Sequence, residues 1–267
     1  MNNQPIGFLD SGVGGLTVVK ESLKQLPNET VYYVGDTKRC PYGSRPVEEI
    51  REFTWEMVEF LVKKGVKMIV IACNTATAVT LEEIKKTLKI PVIGVIIPGS
   101  IAALRVTQTQ RIGVIGTEGT IHSGQYPKAI LSKYKNANVF GLACPKFVPL
   151  VESGEYRSEK AREVVEETLK EMTEHNIDTL VMGCTHYPLL KPLIQDAMGE
   201  SVTLVNPGSE TVSEASMLLD YYEIPAEQNT DQMQHRFYTT GEVETFREIS
   251  SSWLPLDDIH IEHIDLG

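Results

Sequence analysis

Short apolar runs recur along this chain, with amphipathic stretches between them. Gly7–Leu9, Thr30–Gly35, Met68–Ala72 and Val92–Ile96, then Arg111–Ile115, Asn138–Leu142, Thr179–Met182 and Val202–Val205, predict buried strands. In the intervening segments the apolar positions return at helical spacing. Leu16, Val19, Leu23 and Leu26 share one face; Ile50, Phe53, Met57, Phe60 and Leu61 share another. Pro46 suits a first helical position, Glu48 and Glu49 suit a first turn, and Gly65 and Asn176 are natural left-handed stops. Strands alternating with helices predict an α/β fold of parallel sheets covered on both faces. Beyond Gly208 a helix through Leu218 and Leu219 is expected, then strands at Arg236–Thr240 and Ile259–Ile264.

The pattern occurs twice. Ile6–Ser11 resembles Ile112–Thr117 at an offset of 112 − 6 = 106, and Val31–Pro41 parallels Val139–Pro149 at 139 − 31 = 108. The run ending in Cys73 superposes on the run ending in Cys184 at 184 − 73 = 111, and Pro98-Gly99-Ser100 recurs as Pro207-Gly208-Ser209 at 207 − 98 = 109. Any two strand–helix–strand modules share a hydrophobic rhythm, which explains the strands. It does not explain paired Cys and Pro-Gly-Ser positions in the same order, so one ancestral unit has been duplicated. The expected fold is two pseudo-symmetric parallel-sheet α/β domains facing each other across an active-site cleft. The first half ends near Ile97 and the second near Asn206.

Composition narrows the class. A chain of 267 residues suits one or two domains, and 42% hydrophobic content can fill a core. No segment is apolar for the length of a membrane span, and the start at Met1 lacks the basic and apolar regions of a signal peptide. Four scattered cysteines fit a reducing cytoplasm. The net charge of −11 argues against a nucleic-acid partner, and an anionic substrate would need local positive potential.

In open parallel sheets ligands bind beyond the carboxyl ends of the strands. Those ends carry Asp10–Gly15, Asp36–Gly43, Cys73-Asn74-Thr75 and Pro98–Ser100 in the first half. The second half offers Gly116–Thr120, Pro145–Gly154, Cys184-Thr185-His186 and Pro207–Ser209. A lone cysteine at a strand end is ordinarily a small buried hydrophobe. Two at equivalent places call for a shared reason. Helices expected at Thr77–Leu88 and about Leu189–Met198 would put each thiol at a helix amino terminus, which favours the thiolate. One such group on each side of a carbon could remove a proton from one face and return one to the other, inverting the centre. Asn74, Thr75, Thr185, Ser11 and the glycine-rich turns are candidate donors to the developing charge.

Other side chains admit two readings each. Asp10 ends a buried strand, where a carboxylate caps the next helix or takes part in catalysis. His186, two residues beyond Cys184, either binds substrate and tunes the thiol or is satisfied by backbone. Glu152 is a site acid or a solvated loop acid, and Tyr42-Gly43 a backbone donor or a plain turn. Cys40 and Cys144 do not superpose at offset 108 and read as structural.

The segments Asp10–Gly15, Asp36-Thr37 through Pro41-Tyr42-Gly43, Cys73–Ala76 and Gly183–Pro188 resemble the cofactor-independent aspartate/glutamate racemase family, over about residues 6 to 210. The resemblance implies interconversion of L- and D-glutamate, supplying D-glutamate for peptidoglycan, with no cofactor and no metal. It implies Cys73 and Cys184 as the two bases, assisted by Asp10, His186 and Glu152. It assigns substrate contacts to Ser11, Pro41, Tyr42, Gly43, Asn74, Thr75, Thr117, Thr120 and Thr185. It also implies a homodimer, and domains of 1–97 plus 208–267 and of 98–207, the carboxy-terminal segment packing back on the first.

Competing classes fare less well on motif. A same-family enzyme for aspartate or another small acid would differ in cleft size near Tyr42, Val148 and Pro149. A thiol–disulfide or zinc protein lacks Cys-x-x-Cys, and Cys184-x-His186 is a poor zinc spacing. A phosphate-binding module built on Asp10–Gly15 lacks the Gly-Lys-Ser/Thr ending. A pyridoxal enzyme would need a Schiff-base lysine.

Overall fold

The computed structural model describes residues 3–227 and 234–267. Met1 and Asn2 lie outside the described residues. Ten strands are seen among these: β1 (Ile6–Asp10), β2 (Val31–Gly35), β3 (Met68–Ile71), β4 (Val92–Gly94), β5 (Arg111–Gly116), β6 (Asn138–Ala143), β7 (Thr179–Gly183), β8 (Thr203–Val205), β9 (Arg236–Thr239) and β10 (His260–His263). The chain divides into two compact units, Met1–Val95 with Gly208–Gly267, and Ile96–Pro207.

Each unit is built on its own parallel sheet. The order is β10-β9-β2-β1-β3-β4 in the first and β6-β5-β7-β8 in the second. The four shared strands repeat in order and in register. Ile6 stands opposite Val31 and Met68, and Ile112 stands opposite Val139 and Thr179. Adding the sequence offsets of 106, 108 and 111 to the first set yields the second, so the internal repeat extends to strand pairing.

Burial explains why these runs are strands. Every residue of β1, β3 and β7 is buried, as expected where helices cover both faces of a parallel sheet. On one side of the first sheet Leu9, Val34, Ile69 and Ile71 pack against Ile50, Met57, Val58 and Leu61 of the Val47–Lys63 helix. Phe53 and Phe60, predicted on that same face, are only partly buried. The Arg39 guanidinium lies 3.9 Å from the Phe53 ring centroid and covers it. The Leu16–Gln25 helix buries Leu16, Val18, Val19 and Ser22, so its inward face is turned from the predicted one and Leu23 lies at its margin.

Helix ends follow local chemistry. Gly65 and Asn176 both adopt positive φ, 77° and 49°. Pro46 is the N-cap rather than the first helical residue, its carbonyl accepting the Ile50 N–H at 3.1 Å. Ser158 caps the Glu159–Thr173 helix by accepting from Ala161 N at 3.1 Å. Two expectations need correction. The strand predicted over Val92–Ile96 stops at Gly94, and Pro98-Gly99-Ser100, expected at a strand end, lies inside the Ile96–Val106 helix. Pro98 is the third helical residue, where no backbone N–H has an intrahelical acceptor, so proline costs no hydrogen bond. Pro207 likewise opens the Pro207–Tyr221 helix.

The return segment adds β9 beside β2 and β10 beside β9. It is anchored at its start by a buried ion pair, Lys67 Nζ to Glu29 Oε2 at 2.6 Å. Lys67 also donates to Ile224 O at 2.8 Å, and Glu29 accepts from Ala226 N at 2.7 Å. Among the described residues no helix is long and apolar enough to cross a membrane.

Candidate active site

In the first unit the candidate residues gather at the carboxyl ends of β1, β2 and β3. Cys73 comes one residue after β3, past Ala72, and is the N-cap of the Asn74–Thr87 helix, its sulfur accepting the Ala76 N–H at 3.4 Å. The helix begins three residues earlier than the predicted Thr77. A thiol in the capping position accounts for this, since it satisfies a first-turn donor that would otherwise lack an acceptor. The same Sγ lies 3.7 Å from Ser11 Oγ. Asn74 and Thr75 occupy the buried first turn.

Asp10 is fully buried at the end of β1, but it does not cap the following helix. The N-cap there is Gly15, with no side-chain bond. Asp10 Oδ1 instead accepts from Gly12 N at 3.0 Å, closing the turn on itself. Tyr33 supports the turn, donating to Gly12 O at 2.6 Å. The turn is tight enough to require glycine. A Cβ on Gly15 would sit 2.6 Å from Asp10 Cβ, and one on Gly35 would sit 2.5 Å from Gly12 O.

The loop after β2 is organised by Asp36, fully buried, whose Oδ2 accepts from Tyr42 OH at 2.5 Å and Arg39 Nε at 2.7 Å. The Tyr42 ring is buried, and burial followed by the Asp36 charge drives its pKa upward. The phenol therefore stays protonated, and in this loop Lys38 and Pro41 are exposed while Gly43 is half-buried.

In the second unit Cys184 follows β7, but no helix begins on it. A 3-10 turn at Tyr187–Leu190 precedes the Lys191–Met198 helix, and Pro188 and Pro192 fall in their first turns. The expectation that Cys184 starts a helix is therefore corrected. What it has is an imidazole: His186 Nδ1 lies 3.8 Å from Cys184 Sγ, and His186 Nε2 lies 3.1 Å from Glu152 Oε1. Burial opposes charge on His186, but bonds to Cys184 and Glu152 outweigh it and raise the pKa to about 10. Glu152 ends the Phe147–Glu152 helix, partly open to solvent yet bonded inward. Thr117 caps the Glu118–His122 helix, accepting from Thr120 N at 3.3 Å and donating to Thr120 Oγ1 at 3.1 Å. Thr185 is buried beside the thiol in sequence.

Cys144 is buried, and desolvation followed by the charge of Cys184 pushes its thiol up to about 12, so it stays protonated at neutral pH. Cys40 is half-buried, and none of the four cysteines is joined in a disulfide. Among the described residues no group of three or more His, Cys, Asp or Glu is placed to hold a metal ion. Sequence reasoning missed Asp36 as an organiser, Tyr33 as the brace of the glycine turn, and Tyr187, whose hydroxyl donates to Cys144 O at 3.2 Å beneath the second site. Asp36 alone left a signal, an acid directly after a predicted strand.

The family model for Asp/Glu/hydantoin racemases matches residues 10–215, and the chain belongs to that family. A glutamate racemase from Carnobacterium sp. (strain St2) is 61% identical, with all of both chains covered. A solved glutamate racemase of Bacillus anthracis matches at TM-score 0.95 and 45% identity, covering 100% of this chain and 99% of that one. Another, from Francisella tularensis and solved with D-glutamate, matches at TM-score 0.92 and 34% identity over 100% and 99%. Within the family the chain falls among the glutamate racemases.

Proposed function

We propose that the chain interconverts L- and D-glutamate by proton transfer between the substrate's α-carbon and two thiols, Cys73 and Cys184. The observation that carries this reading is their equivalence. Each follows the strand paired with the first strand of its repeat, β3 beside β1 and β7 beside β5. One group, as thiolate, takes the α-proton while the C–H electron pair passes into the adjoining carboxylate system. The other, as thiol, delivers a proton to the opposite face. The result is the mirror-image amino acid, with the charges of the two sulfurs exchanged. Following the family resemblance, Cys73 deprotonates D-glutamate and Cys184 deprotonates L-glutamate.

The supporting groups differ on the two sides. The Ala76 N–H and the positive end of the Asn74–Thr87 helix favour a thiolate at Cys73. On the other side the His186 imidazole lies against the Cys184 sulfur and is itself held by Glu152. Asp10 and Ser11 assist on the first side. Substrate contacts fall to Pro41, Tyr42, Gly43, Asn74, Thr75, Thr117, Thr120 and Thr185. D-glutamate would serve peptidoglycan synthesis in the cytoplasm. A homodimer suits the exposed Met217, Tyr221 and Tyr222 of the Pro207–Tyr221 helix and its end.

Circular dichroism of L-glutamate with cofactor-free, EDTA-treated protein tests the activity. Decay of the signal to zero is expected, with L-aspartate much slower. Activity lost on chelation, or aspartate turned over as fast, would overturn the reading.

A further inference from the structure

We infer that Thr240, in the carboxy-terminal return segment, is a positioning residue that sets the Asp36–Gly43 loop for substrate binding. This rests on the reading that Pro41–Gly43 contacts glutamate. Strand β9 lies beside β2, whereas the second unit's sheet ends at β6, the counterpart of β2. The added strand therefore reaches the loop after β2 at its carboxyl end.

The contacts there are specific. Thr240 Oγ1 donates to Asp36 Oδ1 at 2.8 Å and accepts from Lys38 N at 3.0 Å. Thr240 N donates to Gly35 O at 3.2 Å, and the hydroxyls of Thr239 and Thr37 lie 2.6 Å apart. Asp36 carries the constraint onward, its second oxygen holding Tyr42 OH and Arg39 Nε. Arg39 in turn pairs with Glu56 at 2.6 Å. One buried hydroxyl thus fixes the loop's entry directly and its far end through Asp36.

Valine has nearly the shape of threonine but can neither donate nor accept. Thr240→Val leaves an Asp36 oxygen and the Lys38 N–H short of a buried partner, and both recover only if the loop shifts. The thiols are untouched, so the loss falls on binding shared by ground and transition states.

Steady-state kinetics in both directions test this, with Thr54→Val as control. Thr54 is also a buried threonine, bonded to Ile50 O at 2.6 Å in the Val47–Lys63 helix. For T240V, KM is expected to rise about tenfold with kcat held within about threefold, and T240S should restore KM. T54V should lower Tm without moving KM. A T240V enzyme with wild-type KM, or one whose KM moves no more than that of T54V, overturns the inference. Gly43→Val probes the loop itself. If it raises KM while T240V does not, the positioning role fails and the substrate-loop reading stands; if neither moves KM, the loop reading fails too. Should T240V not fold, Thr239→Val cuts the neighbouring Thr37 link, together with a long bond from Gly241 N at 3.3 Å, and leaves Thr240 in place. A KM increase of about threefold supports the inference and an unchanged KM overturns it.

Discussion

Glu152 Oε1 lies 3.1 Å from His186 Nε2, while the other ring nitrogen of His186 lies 3.8 Å from Cys184 Sγ. Acid, imidazole and thiol form one line in the second unit. In the first, the equivalent thiol Cys73 takes a backbone N–H from its own helix and faces a serine hydroxyl. Duplicated strands thus present two sulfurs whose surroundings have diverged. On the two-thiol proposal this is tolerable, because each proton transfer needs its sulfur within reach of the α-carbon but not the same neighbours around it.

Removing one supporting group should therefore slow one half-reaction. Glu152→Gln is expected to lower turnover roughly tenfold, short of the ~10²–10⁴-fold typical of losing an acid/base group outright. Since the enantiomers have equal free energy, kcat/KM must fall equally in both directions. The asymmetry should appear in isotope effects. α-Deuterated L-glutamate should show a larger primary effect in E152Q than in wild type, with little change for D-glutamate. Equal changes for both would separate Glu152 from Cys184.

The capping role of Cys73 separates stability from catalysis. Serine is a strong N-cap, so Cys73→Ser should be at least as stable as wild type, whereas Cys73→Ala should lose about 1 kcal/mol. Both should reduce racemisation by at least ~10²-fold, because neither supplies an acid of thiol strength. Cys184→Ala should be as inactive without that capping loss. Urea unfolding and racemase assays on the three variants check this, and a C73S enzyme near wild-type activity would contradict the proposal.

His186 should leave a pH signature in stability. Its folded pKa of about 10 exceeds the ordinary 6.5, so its contribution is fully present below about pH 6.5 and is lost as pH rises through about 10. Wild type should be more stable than His186→Gln at pH 6, with the gap closing toward pH 10. A gap that stays constant or widens over that range would show that the imidazole is not held charged.

The glycine turn makes a steric prediction. Gly15 has φ −59° and ψ −17°, which alanine adopts freely, so the cost of Gly15→Ala is contact alone. Its Cβ would meet Asp10 Cβ at 2.6 Å and the Tyr33 ring at 2.9 Å, neither a flexible end. A loss of about 1–3 kcal/mol is expected, with a fall in kcat as Asp10 shifts. Unchanged Tm and kcat would show that the turn yields more easily than its packing suggests.

What the sequence made legible was whatever is local or repeated. The apolar runs located the strands because buried parallel strands are apolar on both faces, and the repeat singled out Cys73 and Cys184 from Cys40 and Cys144. Pro98-Gly99-Ser100 reads as a strand end because the apolar run continues to Ile96, although the helix already starts there and proline is harmless in its first turn. Cys184 was expected at the start of a helix over about Leu189–Met198, but its downstream chain first forms a 3-10 turn. Long-range polar links were invisible. Thr240 meets Asp36 across 204 positions and Glu152 meets His186 across 34, and neither spacing carries a periodic signal. The contact between Glu152 and His186 was approached only through family resemblance.

The origin of the product's α-hydrogen tests the two-thiol proposal most directly. Between turnovers thiols exchange with solvent, so the donor carries solvent hydrogen. Starting from L-glutamate in heavy water, mass spectrometry at low conversion should find α-deuterium in D-glutamate and α-protium in the remaining L-glutamate, with the mirror result from D-glutamate. A single shuttling base would return the substrate's own hydrogen or wash deuterium into the unreacted pool. Substantial α-protium in the earliest product would contradict opposed proton transfer by Cys73 and Cys184.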